Sequence, residues 1–274
     1  MRASVMPSIY VPHGGGPWPW VEPLAAQHGT MRSYFEGLGR DLPRPKAILV
    51  ISAHWEADRP TVMTAAKPPM LYDYYGFPEH TYGVTWPAPG APDLALRIVD
   101  LLGGAGIEAG TDAQRGFDHG CFVPLALAYP EADVPTLQLS LVNGLDPKPH
   151  LQVGAALAPL RSDGVLILGS GMSYHNMQGF ARGGPAGGKA AALAFDGWLE
   201  AAMTQTGLPR DEALRHWEAA PGARLCHPRE EHLMPLHVVA GAAHGDAGTL
   251  PYRDEVLGVR VSSVRFDAAE GEEP

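Results

Sequence analysis

The chain has 274 residues, 45% of them hydrophobic and 18% charged, with a formal net charge of −10. It can bury a substantial core, and an acidic balance without a Lys/Arg cluster argues against nucleic acid as a partner. No apolar run approaches the roughly 20 residues that span a bilayer, so no membrane partner is read, and the N-terminus lacks a charged stretch followed by a long apolar one, so a cytoplasmic protein is expected.

In chain order, residues 8–12 read as a short strand that ends at His13. Ala47–Ser52 (AILVIS) is the clearest buried strand, entered from the Pro-flanked segment LPRPK. Residues 60–90 are rich in Pro, Gly, Tyr and Trp; a strand is expected near Thr61–Ala65 and a long loop after it. Loops of this length in compact domains are functional or disordered, and the aromatic content points to a pocket wall or lid. APDLALRIVDLLGGAG is an amphipathic helix ended by glycines. VPTLQLSL is a strand, Lys148–Arg161 a helix and Gly164–Leu168 a strand. Gly187–Gln205 is a long Ala-rich helix that packs through Phe195, Trp198 and Leu199, and Pro209–Trp217 is a shorter one. A further helix is predicted from Pro228, which suits a first turn, to about Ala243, with Glu230 and Glu231 favoured there by the helix dipole. Gly258–Phe266 is a final strand, and the tail, 268–274, is expected to be disordered. Strands alternating with helices give an α/β class. The expected form is a single catalytic domain over 1–267 with a central, mostly parallel sheet flanked by helices.

Six histidines stand beside turns at strand or helix ends: His13, His54, His119, His175, His227 and His232. Buried strands of this kind form parallel sheets, whose ligands bind at the carboxyl ends of the strands. Imidazoles gathered there suggest a metal site, and imidazole suits iron, zinc and copper. Any one of them is as often structural as functional; their common placement carries the reading. Gly14–Gly16 after His13 would let backbone approach a substrate closely. His227 and His232 are five apart and would not share a helix face, which leaves His227 to a helix-cap role. His28, His80, His150, His216, His237 and His244 are read as structural or exposed, with His80 left open because it lies in the aromatic loop. Cys121 and Cys226 form no CxxC, and Cys121 reads as a small buried residue. HExxH, GxSxG and P-loop patterns are absent, so Ser170 and Ser173 in GSGMS lack the spacing of a hydrolase nucleophile.

Eight segments stand in order along the chain: PHGGGPWPW at 12–20, LPRPKAILVISAHW at 42–55, YDYYGFPEHTY at 72–82, TWPAPG at 85–90, GFDHGCFVPL at 116–125, VPTLQLSL at 134–141, LGSGMSYHN at 168–176 and HPREEHLMPLHVVAGAA at 227–243. Together they resemble the class III extradiol ring-cleavage dioxygenases of the LigB-like superfamily, in the DOPA-dioxygenase-type branch. The resemblance implies an enzyme that opens a small-molecule catechol with O2 to a muconic semialdehyde-type product. It implies His13, His54 and His232 as metal ligands, His175 as acid–base catalyst and His119 beside the oxygen site. Fe(II) is the ion expected for activity, with Zn(II) a second candidate. The usual non-haem iron triad has one carboxylate, which points to Glu231; the branch points to its neighbour His232, and helical neighbours face roughly 100° apart, so one of the two would face the metal. Tyr72, Tyr74 and Phe77, with Tyr75, are expected to cover the flat substrate. A carboxylate on the substrate would meet Lys148, Arg182 or Arg229. Two other classes stay open: a zinc-dependent hydrolase on the same histidines, and a non-catalytic, Memo-like binding protein. Retention of His175 and His119 favours catalysis.

Overall fold

The two most apolar runs of the chain become neighbouring strands at the centre of one sheet. The computed structural model describes residues 5–181 and 188–268. Its strands are β1 (Ser8–Pro12), β2 (Ala47–Ala57), β3 (Thr61–Met63), β4 (Gly110–Asp112), β5 (Thr136–Val142), β6 (Val165–Gly171), β7 (Gly248–Thr249), β8 (Arg253–Val256), β9 (Val259–Ser262) and β10 (Val264–Phe266). Eight of them form a sheet in the order β4-β3-β5-β2-β6-β1-β10-β7, and β8 pairs with β9 in a separate hairpin. The central four, β5, β2, β6 and β1, run parallel. The flanking strands β3, β10 and β7 enter antiparallel to their inner neighbours. The result is a single α/β domain with a mostly parallel sheet and one continuous hydrophobic core.

Every residue of β6, and Ile48–Ile51 of β2, is buried, as expected of parallel strands covered on both faces. Alternation along β6 identifies the two covers. Gly169 and Gly171 lie against Pro235 and His232, at the start of the helix Met234–Ala242. Ser170, between them, donates instead to the carbonyl of Gly120 in the helix His119–Ala128. The long helix Pro92–Gly104 and the Ala-rich helix Gly188–Met203 fall where the sequence places them. Among the described residues no helix is long and apolar enough to cross a membrane. Of the expected frayed tail, residues 269–274 lie outside the described residues, as does Arg182.

Several boundaries differ from expectation, among them the helix expected over Lys148–Arg161, which is two, Pro147–Leu157 and Pro159–Ser162. The strand predicted to end at Ser52 continues to Ala57, with a register shift against β5 between Ile51 and Glu56. The last strand, expected unbroken over Gly258–Phe266, is two strands in different sheets, split at Ser263. The helix expected from Pro228 starts at Met234. His227 therefore caps the preceding turn Ala223–Cys226 at its C-terminus, where its Nε2 lies 3.0 Å from the Ser173 carbonyl.

Candidate metal centre

Parallel strands deliver their carboxyl ends to one edge of the sheet, and five of the singled-out histidines arrive there. His13 follows β1, its N–H bonded to the Gly171 carbonyl at 3.0 Å. His54 lies in the stretch of β2 where the register shifts, and such irregularities re-aim side chains beside functional sites. His119 opens a helix capped by the Asp118 side chain, which accepts from the Cys121 N–H. His175 comes just past β6, its N–H on the Cys226 carbonyl at 2.9 Å. His232 sits in the turn before Met234, its carbonyl fixed by the Tyr10 hydroxyl at 2.7 Å and the Met172 N–H at 3.1 Å.

The rings pack closely. Centroids of His13 and His54 are 4.8 Å apart, those of His13 and His232 5.1 Å, and those of His54 and His232 4.9 Å. His119 lies 4.1 Å from His54, and His175 stacks on His232 at 3.4 Å with an interplanar angle of 15°. Each of the three proposed ligands has a partner at Nδ1. His13 Nδ1 meets Ser170 Oγ at 3.0 Å, His232 Nδ1 meets Glu231 Oε1 at 2.9 Å, and His54 Nδ1 is 3.5 Å from Asp73 Oδ2. Partners at Nδ1 orient an imidazole and leave Nε2 for a ligand. The Nε2 atoms of His13 and His54 face each other at 3.1 Å. Two imidazole nitrogens about 2.1 Å from a shared ion sit roughly 3.0–3.4 Å apart, so these residues fit a metal ion.

Charge agrees with that fit. Burial pushes the His13 and His232 imidazoles well below the ordinary histidine value, and burial followed by the neighbouring His119 brings His54 down to about 4. Neutral imidazole is the form that binds metal. Asp73 and Glu231 behave oppositely. Burial pushes both up, but hydrogen bonding to His119 holds Asp73 at about 2, and hydrogen bonding to His175 leads the effects that leave Glu231 below the usual carboxylate value. Two partly exposed carboxylates behind neutral imidazoles match the charge of one divalent cation.

The adjacent residues Glu231 and His232 divide their roles in space. His232 lines the cavity; Glu231 stands behind it, with Oε1 shared between His232 Nδ1 and His175 Nδ1, the latter at 3.0 Å. Asp73 is the corresponding group on the other side and was not singled out from sequence. Its Oδ1 accepts from the His119 ring at 2.8 Å and the His119 N–H at 2.9 Å, while Oδ2 faces His54. The readable signal was an acidic residue between two tyrosines of the aromatic loop. Asp73→Asn keeps the shape but loses the charge and one acceptor. Activity is expected to fall 10–100-fold, the usual range for an outer partner of a ligand, with metal content retained; unchanged steady-state kinetics would remove Asp73 from this role.

The five histidines close one end of a cavity of about 450 Å³. Gly14, Gly15 and Gly16 form part of its wall, as expected for close backbone approach, and Gly14 and Gly16 have φ of 78° and 53°. Tyr74, Tyr75 and Phe77 bring the aromatic loop to the cavity. Tyr72 does not line it: its hydroxyl donates to the Val84 carbonyl at 2.8 Å, and its ring packs between Tyr74, Tyr82 and Phe122. His28, read as structural, is on the wall, stacked on Trp18 at 4.5 Å. Neither Lys148 nor Arg229 lines the cavity; the Arg229 guanidinium is held by both Glu56 oxygens at 2.8 and 2.6 Å.

Residues 19–263 match the family model described as the catalytic LigB subunit of aromatic ring-opening dioxygenase. The chain belongs to the LigB family. It is 48% identical over 73% of its length to a protein of Beta vulgaris named 4,5-DOPA dioxygenase extradiol, and covers 74% of that relative. It is 37% identical over 95% of its length to the dioxygenase tasH of Hapsidospora irregularis, covering 85% of it. An uncharacterised protein of Escherichia coli K12 of known crystal structure superposes with a TM-score of 0.76 at 30% identity, over 95% of this chain and 99% of that one. These likenesses support an extradiol ring-cleaving dioxygenase and a small aromatic substrate with O2. They favour neither the zinc hydrolase nor the Memo-like binding protein.

Proposed function

We propose that the chain cleaves a catechol next to its two hydroxyls, using O2 and an Fe(II) ion held by His13, His54 and His232. The observation that carries this is the 3.1 Å approach of the His13 and His54 Nε2 atoms, beside His232, at the end of a cavity walled by aromatic rings. Bound there, Fe(II) would supply Lewis acidity toward the catechol oxygens and, unlike redox-inert Zn(II), electron transfer to O2.

The chain's own groups then handle protons and orientation. His175 has Nδ1 committed to Glu231, so Nε2 is the nitrogen that takes a catechol hydroxyl proton and later returns it. Its stacking on His232, ring centroids 3.4 Å apart, supports that role. His119, with Nδ1 on Asp73, keeps Nε2 for a hydrogen bond to oxygen. Tyr74 and Phe77, rings 5.5 Å apart, give the flat substrate an apolar flank. Ring opening with both oxygen atoms retained gives a muconic semialdehyde-type product.

The test is aerobic turnover of catechols by the Fe(II)-loaded protein, followed by the absorbance of the ring-opened product. His175→Ala is expected to lower turnover 10²–10⁴-fold with iron still bound. Wild-type turnover by that variant would remove His175 as the acid–base, and no cleavage of any catechol by the wild type would overturn the proposed reaction.

A further inference from the structure

Away from the histidines the cavity wall is apolar, and it is assembled from separate segments. Leu24 comes from the turn Glu22–Ala25, Met172 from the end of β6, Met177 and Phe180 from the turn Met177–Ala181, and Val256 and Leu257 from the β8–β9 hairpin. Among the described residues, no Lys, Arg, Asp or Glu lines the cavity. His28 offers little to a ligand: its Nδ1–H donates to the Leu24 carbonyl at 2.7 Å and its Nε2 accepts from the Gly15 N–H at 3.2 Å. The apolar surface continues to the mouth, where Tyr75 is 91% exposed and Met177 64% exposed.

Leu257 marks this wall as built for an apolar ligand. Val256 pairs with Val259, so Leu257 and Gly258 are the two turn residues, with φ of 51° and 83°. Two-residue turns with positive φ at both positions favour Asn, Asp or Gly first, and leucine there costs backbone energy. The Leu257 N–H is bonded to the Gln27 carbonyl at 2.9 Å, which ties the hairpin to the segment carrying Leu24 and His28. What leucine adds over asparagine is an apolar side chain on the cavity wall.

We infer that the site selects a neutral catechol bearing an apolar ring substituent of several carbons, with the substituent packed on Leu24, Phe180 and Leu257 and leaving past Tyr75 and Met177. This rests on the ring-cleaving reading above. A cavity of about 450 Å³ is in the size range that holds drug-sized ligands, well beyond a bare catechol. Away from the histidines, no charged side chain of the described wall would pair with an amino-acid or carboxylate group.

The test is anaerobic calorimetric binding to the Fe(II)-loaded full chain. The probes are catechol, its 4-ethyl, 4-propyl, 4-butyl and 4-hexyl derivatives, and DOPA. Affinity is expected to rise about fourfold per buried methylene until the cavity is filled, and DOPA is expected to bind at least about tenfold more weakly than 4-propylcatechol. In Leu257→Asn the hexyl-to-catechol affinity ratio is expected to fall about tenfold. Its thermal midpoint should stay at or above that of the wild type, because asparagine suits the turn. A flat or falling alkyl series, DOPA binding as tightly as 4-propylcatechol, or an unchanged ratio in Leu257→Asn would each overturn the inference. Aerobic turnover of the same series separates the two readings: an alkyl trend in binding without any cleavage sinks the reaction and leaves the preference, whereas cleavage without the trend does the reverse.

Discussion

His13→Ala is expected to strip the protein of tightly bound divalent metal and to lower catechol cleavage at least about a thousandfold. That exceeds the 10–100-fold typical of losing an outer partner, because the lost atom is itself a proposed ligand. The Nε2 of His13 faces a second proposed ligand nitrogen, His54 Nε2 at 3.1 Å, and its ring lies within 5.2 Å of those of His54, His119 and His232. The fold should survive. β1 keeps its ladder to β6 through Val11 and Pro12, and Ser170, which loses the His13 contact, still has the Gly120 carbonyl as acceptor. Ser170→Ala is the graded counterpart: it removes the group that orients Nδ1, together with the donor to the Gly120 carbonyl, so metal should be retained with a smaller loss of rate and some loss of stability. Metal content by plasma emission, measured with turnover on the same preparations, checks both. Equimolar metal and normal turnover in His13→Ala would sink the proposed ligand set.

The parts of the site written by single residues next to strong strands are legible in the sequence alone. AILVIS and GVLIL announce buried parallel strands, and the histidines just after them, or just before a helix, arrive together because parallel strands share a carboxyl edge. What escaped depends on contacts between distant segments. Asp73 is one acidic residue in a loop without periodicity; only the folded chain shows it between His54 and His119. Tyr72 is chemically equal to Tyr74 in sequence, yet the loop turns it toward Val84 and away from the cavity. The helix His119–Ala128 is buried almost all round, so it has no polar face to give a helical period, and Pro124 adds a break signal. The helix Met31–Asp41 did carry a signal, with Met31, Phe35 and Leu38 buried at i, i+4 and i+7, obscured by Gly37 and Gly39. The split of the last strand was also written in the sequence: Val259 and Val261 share one parity, Val264 and Phe266 the other, and the Ser262–Ser263 pair is where the phase flips.

Gly171→Ala is expected to destabilise the protein by about 2 kcal/mol, within the usual range for an inserted methyl in a packed interior, and to cut activity about a hundredfold or more. A Cβ at Gly171 would lie 2.1 Å from the His232 carbonyl oxygen and 3.0 Å from the Tyr10 ring. That oxygen has nowhere easy to go, because it already accepts from the Tyr10 hydroxyl and the Met172 N–H. The methyl must therefore bend β6 or lift the His232 backbone, and a shift of about 1 Å at a catalytic group costs on the order of 10²-fold. Gly169→Ala separates the two effects. Its Cβ would meet the Pro235 carbonyl and Val239 Cγ2, both at 2.7 Å, two residues earlier on the same face of β6. It should lower the thermal midpoint by a similar few degrees while keeping more metal and more activity. Differential scanning calorimetry with metal titration on both variants decides the matter, and an unchanged midpoint and affinity in Gly171→Ala would refute it. The glycines of GSGMS thus do structural work that leads to chemistry: by leaving one face of β6 bare at alternate positions, they let the turn before Met234 settle onto the sheet and set the height at which His232 meets His13 and His54.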